Sequence, residues 1–197
     1  MALPGWVPDI ETKPAPMPLL LVQSFVNTWE GDTGIDLLGD ADSAESWLRE
    51  AGLLEGPLGE VERVGAQRMR EAVRALLVHN AGGPAPDPSD IEVLSSVAAG
   101  CLMRPVVASD GAIELAPAER PDRSPGLARL LLIIHDAQRE GTWARLKACR
   151  NPDCRWAYFD RSHAARGAWC DMAVCGNRIK NRNFRSRHSG RQGPDPR

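Results

Sequence analysis

The sequence predicts a mainly α (α+β) fold: a multihelical N-terminal domain with one small β-hairpin, followed by a small four-cysteine module. Three observations predict it. Apolar residues recur at three- and four-residue steps over long stretches between residues 19 and 146, the period of helices that bury one face. Two short apolar runs flank Asp110-Gly111, a pairing that favours a tight hairpin. Four of the five cysteines fall in one 27-residue window, Cys149-x4-Cys154-x15-Cys170-x4-Cys175.

The elements follow in chain order. Residues 1–17 form a proline-rich lead, stiff or disordered. The run from Leu19 to Trp29 starts a helix, with Leu20, Leu21, Ser24, Phe25 and Thr28 on neighbouring turns. A turn-rich loop precedes Ser43, which is suited to cap a helix ending at Gly52. Residues 59–80 carry the longest periodic pattern, with Val61, Val64, Met69, Ala72, Val73, Leu76 and Leu77 on one face. Its polar face holds Glu60, Glu62, Arg63, Arg70, Glu71 and Arg74, so an amphipathic helix against a core is expected. Ser89 and Glu92 make a capping box for a helix from about Ile91 to Leu102, ended by Pro105. The hairpin around Asp110-Gly111 comes next. After a linker over 117–126, Ser124 and Pro125 start a helix that runs through Leu130 and Ile134 towards Trp143 and Leu146 and delivers the chain to Cys149. The implied division is a lead (1–17), a helical domain (18–146), a cysteine module (147–188) and a disordered tail (189–197).

Charge is unevenly divided. Residues 1–148 carry 13 Lys+Arg against 22 Asp+Glu, and residues 149–197 carry 11 against 4. An acidic body with a basic C-terminal end points to a nucleic-acid partner at that end. No stretch is apolar enough to span a membrane, and the first residues lack the basic and apolar regions of a signal peptide. A reducing cytoplasm is the expected location, where clustered cysteines speak for metal rather than disulfides.

Two cysteine pairs separated by a loop match a tetrahedral zinc site. Soft thiolates favour zinc over magnesium or calcium, and four of them leave no open position, so the metal is structural. Two disulfides or an iron–sulfur cluster are the alternatives, and His163 could replace one cysteine. The module's few aromatics make only a miniature core, so metal binding would supply folding free energy. The fifth cysteine, Cys101, reads as a buried apolar residue.

Behind the last cysteine, Arg178, Lys180, Arg182, Arg185 and Arg187 put five positive charges within ten residues, with no acid among them. As a helix, Arg178, Arg182 and Arg185 share a face, and Asn177 and Asn181 add hydrogen-bonding groups. Such a segment suits phosphates and base edges; a solubilising tail is the plainer reading.

The pattern Cys149-x4-Cys154-x-Trp156-x-x-Phe159-Asp160-x-Ser162, then Arg166-x-x-Trp169-Cys170-x-Met172-x-x-Cys175-Gly176-Asn177-Arg178-x-Lys180, resembles the CGNR zinc finger, named for the residues that stand at 175–178. The N-terminal part resembles the ABATE domain through Phe25-Val26-Asn27-Thr28-Trp29, Ser46-Trp47-Leu48, Gly52-Leu53-Leu54 and Arg74-Ala75-Leu76-Leu77. The resemblance implies a bacterial transcription regulator, described as stress-induced, with a largely helical N-terminal domain. It makes Cys149, Cys154, Cys170 and Cys175 ligands of one zinc ion, and Arg178 and Lys180 nucleic-acid contacts.

The acidic body is then a sensor, a homodimerisation module or a protein-contact surface. Asn27 and Thr28 are candidates to line a small-molecule pocket; otherwise they cap or bridge to a neighbouring loop. Sequence motifs for nucleotide binding, zinc proteolysis or nucleophilic hydrolysis are lacking, which argues against an enzyme. The leading expectation is regulation through duplex DNA. A zinc-stabilised protein adaptor is a rival, as is RNA binding with Trp156, Tyr158 or Phe159 stacking on bases.

Overall fold

The computed structural model describes residues 3–100, 103–117 and 126–182. Cys101, the Ser124-Pro125 helix start, Phe184, Arg185, Arg187 and the 189–197 tail lie outside the described residues.

Helix α1 (Leu19–Val26) is the hub, and all eight of its residues are buried. A helix without a solvent face needs apolar residues all round, which explains its unbroken Leu-Leu-Leu-Val start. Helices α3 (Glu60–Asn80) and α5 (Gly126–Arg139) pack on it, α2 (Ala41–Glu50) packs on α3, and α4 (Pro88–Ala99) lies against α3 and α5.

Local chemistry shifts two helix starts from the expected places. Asp40, not Ser43, caps α2: its carboxylate accepts from the Ser43 amide at 3.0 Å and the Ser43 hydroxyl at 2.5 Å. Asp87, not Ser89, caps α4, with Asp90 as the reciprocal partner and Pro88 at the first helical position, where its missing N–H costs nothing. Helix α4 ends at Ala99, so Pro105 does not terminate it. Pro105 sits instead inside β1 (Met103–Val107), opposite Leu115 of β2 (Ile113–Pro117). A two-stranded ladder leaves each strand one free edge, which tolerates a proline. The hairpin itself forms where expected.

Two residues assigned to the polar face of α3 are buried. Arg74 is fully buried; its guanidinium donates to the carbonyls of Val26 and Trp29 and to Glu71, and lies 4.8 Å from the Trp29 ring. Arg70 forks onto Asp36 and reaches the Thr28 hydroxyl at 3.3 Å. The physical reason for Arg74 is the C-terminal end of α1, whose free carbonyls are buried and require a donor long enough to reach them, and for Arg70 it is the Asp36 carboxylate.

Helix α5 stops at Arg139 rather than running on to 146. The Gly141 amide bonds Gln138 and the Thr142 amide bonds Ala137, with Gly141 at φ +75°, a glycine-terminated helix end. A 3₁₀ turn (Trp143–Arg145) leads into β3 (Leu146–Ala148), which pairs antiparallel with β4 (Ala157–Phe159), Leu146 opposite Phe159. Leu146, Ala148, Ala157 and Phe159 join the same apolar cluster as α1, α3 and α5.

The lead is also built in. Val7 and Ala15 are buried, the Trp47 indole donates to the Trp6 carbonyl at 3.1 Å, and the Phe159 amide donates to the Lys13 carbonyl at 2.9 Å. Residues 3–17, expected to be stiff or disordered, are thus bonded to α2 at Trp6 and to β4 at Lys13.

Candidate metal centre

The first cysteine pair closes around a tight turn. Asn151 is wholly buried; its carbonyl accepts from the amides of Cys154 and Arg155, both at 3.0 Å, which folds Cys154 back towards Cys149. Arg155 follows at φ +52°. The second pair is set by Asp171, which caps the turn through the Val174 amide at 3.0 Å and accepts the Cys175 and Gly176 amides at its carbonyl. That π-helical turn (Met172–Gly176) continues directly as α6 over residues 177–182. A Cβ on Gly176 would lie 2.4 Å from the Met172 sulfur and 3.2 Å from the Trp169 ring, so only glycine leaves them in place.

The four sulfurs of Cys149, Cys154, Cys170 and Cys175 lie within 4.8 Å of one another. Cys154 and Cys170 are 3.6 Å apart, and Cys170 and Cys175 are 3.7 Å apart. A tetrahedron with Zn–S bonds of about 2.3 Å has S···S edges of about 3.8 Å, so the donor set fits one zinc ion. Hydrogen bonds from Cys154 and Cys170 pull the Cys149 thiol far below its ordinary value and push those two thiols up. Sulfurs this crowded resist both full protonation and full ionisation, and a divalent cation in place of the protons removes the conflict. The Asn151 amide reaches the Cys175 sulfur at 3.8 Å, and the amides of Asn151 and Cys170 support Cys149. These donors would orient the ligands from outside the metal shell. His163 lies on an exposed turn and is not in the cluster.

A buried ion pair braces the loop between the cysteine pairs. The Lys147 ammonium donates to Asp160 at 2.8 Å and to the Ala165 carbonyl. Asp160 also accepts from the Ser162 amide and hydroxyl and from the Gly167 amide at 2.7 Å. Burial opposes ionisation of Asp160, but these donors outweigh it and hold its carboxyl well below the usual range.

The centre is tied to the helical body. Asn27 accepts the Ala157 amide at 2.7 Å and donates to the Ala157 carbonyl at 2.9 Å and to Glu11 at 3.2 Å. Glu11 also accepts from the Trp156 indole at 3.3 Å, and burial raises its carboxyl above the ordinary value. Thr28 donates to the Phe25 carbonyl at 2.8 Å and accepts from Arg70. Asn27 and Thr28, candidates for a pocket or for bridging, are engaged inside the fold as bridging residues. Gly31 abuts the first knuckle so closely that a Cβ would lie 2.5 Å from the Asp153 carbonyl oxygen.

The basic helix is exposed but partly matched with acids. Arg178 pairs with Asp32 at 2.7 Å and Arg182 with Asp153 at 2.6 Å. Lys180 and Asn177 are exposed. Trp156, Tyr158 and Phe159 are 8%, 1% and 8% exposed, which removes them as a stacking platform for RNA bases. Asn151, Lys147 and Glu11 were not singled out from sequence. Asp160-x-Ser162 does carry a local signal, an acidic side chain accepting from the amide two residues on; the partners of Lys147 and Glu11 carry none.

Residues 145–188 match the CGNR zinc finger. Residues 20–147 match ABATE, described as "Putative stress-induced transcription regulator". Neither is an enzyme family. Among curated proteins, none matches the chain. No helix among the described residues is long and apolar enough to cross a membrane. With its four thiolates gathered at zinc-binding distances and both matches in the order its motifs require, the chain belongs to the ABATE family and carries a CGNR zinc finger that holds one structural zinc.

Proposed function

We propose that the protein is a cytoplasmic regulator that binds duplex DNA through the basic segment behind Cys175. The observation that carries this reading is α6 itself. It grows without a break from the turn holding the last zinc ligand, and it offers Asn177, Arg178, Lys180 and Arg182 to solvent. The acidic partners of Arg178 and Arg182 are themselves solvent-accessible. Exposed pairs of this kind contribute about 0–1 kcal/mol, so a phosphate can displace them. Arg185 and Arg187 extend the same charge run in sequence.

The body supplies the sensing or dimerising half of this reading. An apolar cavity of about 380 Å³, lined by Leu48, Leu54, Leu58, Val97 and Leu127 with Glu62 at its edge, is the candidate effector site. Val107, Ile113 and Leu115 on the hairpin are exposed and are candidates for a homodimer face. The rival reading, an adaptor for an acidic protein surface, draws on the carboxylates that Arg178 and Arg182 already hold.

The test is fluorescence anisotropy of a labelled duplex with the full chain across a salt series. Five neutralised phosphates predict log K falling with log[salt] at a slope of roughly −4 to −5. Lys180→Ala weakens binding and shallows the slope while zinc content stays at one per chain. Absence of binding at low salt refutes the reading and favours the adaptor. Competition with single-stranded RNA decides the nucleic-acid class.

A further inference from the structure

Three of the four zinc-ligating cysteines line one open cleft. Cys154, Cys170 and Cys175 border a space of about 150 Å³ together with the lead segment, the 30–32 loop and Asp171. Liquid water occupies about 30 Å³ per molecule, so the space admits a molecule of a few heavy atoms. Cys170 is the least buried of the four cysteines. Cys149 does not line this cavity. The walls are acidic: Glu30 and Asp171 line it, with Asp32 held by Arg178, beside sulfurs that are themselves anionic when they hold zinc. Anions are repelled and small uncharged molecules are not.

We propose that Cys170 is a modification site at which a small uncharged oxidant of the peroxide class opens the zinc centre. The Cys170 thiolate attacks one peroxide oxygen; an S–O bond forms, the O–O bond breaks, and hydroxide leaves. The thiolate of Cys154 at 3.6 Å or Cys175 at 3.7 Å then attacks the sulfenic sulfur. A disulfide forms and a second hydroxide leaves. The two thiolates have given two electrons to one peroxide, and zinc has lost two of its four ligands. Cys170 precedes and Cys175 lies within the turn that launches α6, so the reaction undoes the anchor of Arg178, Lys180 and Arg182. The inference does not depend on nucleic-acid binding, because its readout is zinc and sulfur chemistry.

The experiment uses the zinc-loaded full chain, with released zinc followed by a chromogenic chelator. Hydrogen peroxide is expected to release one zinc per chain, with mass spectrometry placing the first disulfide on Cys170. In parallel, iodoacetamide and iodoacetate deliver the same alkylating group with and without a negative charge. After correction for their rates on glutathione, iodoacetamide is expected to release zinc about tenfold faster, the effect of one to two like charges at about 4 Å in water. Glu30→Gln narrows that ratio, and Ile10→Trp, which fills the cavity mouth, slows both reagents. Modification of Cys149 first, equal corrected rates for the two alkylators, or retention of zinc under peroxide each overturns the proposal. If Ile10→Trp fails to fold, the charge comparison on the unmodified chain and on Glu30→Gln still decides.

Discussion

Replacing Asn27 by alanine separates a pocket residue from a bridging one. Its carboxamide oxygen is the acceptor for the Ala157 amide at 2.7 Å, and Ala157 is wholly buried. Alanine leaves that amide without a partner. The Ala157 carbonyl keeps the Gln23 side chain at 3.2 Å, and Glu11 keeps the Lys13 amide and the Trp156 indole, so one buried donor is orphaned rather than three groups. An orphaned buried amide costs about 1–3 kcal/mol. At about 2–4 °C per kcal/mol for a chain of this size, the melting temperature of the zinc-loaded protein falls by about 2–12 °C. Asn27→Asp keeps an acceptor for the amide but sets a carboxylate against Glu11 and the Ala157 carbonyl, and is expected to lose more than alanine does. Scanning calorimetry or urea unfolding of the zinc-loaded protein reads both variants. An Asn27→Ala protein that melts with the wild type would refute the bridging account and return Asn27 to the role of a pocket residue.

Other substitutions probe the remaining contacts. Asp160→Asn removes the charge opposite the buried Lys147 ammonium and turns one of two accepting oxygens into a donor facing other donors, and is expected to cost about 3–5 kcal/mol at neutral pH. Because the folded carboxyl sits below an unfolded value of about 3.9, its stabilisation is complete above about pH 4 and is lost as pH falls below it. The gap between variant and wild type in urea midpoint should therefore close on acidification. Arg74→Ala strands the buried Val26 carbonyl, while the half-exposed Glu71 keeps Arg70, and urea unfolding should register a loss of about 1–3 kcal/mol. Gly31→Ala drives a methyl group into the Asp153 and Cys154 carbonyls at 2.5 and 2.8 Å. Backbone cannot swing aside as a side chain does, so zinc-competition titration should show weakened metal retention.

The parts of the fold legible in the sequence are those governed by local rules. Paired cysteines, an Asp-Gly turn between apolar runs and helical periodicity each depend on neighbours within a few residues. The parts that were not legible depend on distant partners. Arg70 and Arg74 look like solvent-facing charges along α3, and only the Asp36 carboxylate and the buried C-terminal end of α1, respectively, make them interior donors. β3 and β4 are three residues each, too short for an alternating pattern to show. Glu11 and Asn27 are polar residues in segments that gave no sign of meeting, because their meeting point is a strand 130 residues beyond Asn27. The acids opposite Arg178 and Arg182 are likewise set by how the 30–32 loop lies on the first knuckle.

These long-range contacts lead to one central claim: the finger and the helical body share a core, so the zinc ion stabilises both. Sequence division at residue 146 suggests instead that the two melt separately. Urea unfolding of the zinc-loaded full chain, with released zinc and far-ultraviolet circular dichroism recorded on the same samples, tests this most directly. The shared β3–β4 ladder and the Asn27 and Glu11 bridges predict that one zinc per chain leaves in the same transition that melts the helices, and that chelation lowers the helical midpoint. Zinc leaving at lower urea, with the helical midpoint unchanged, would contradict the claim.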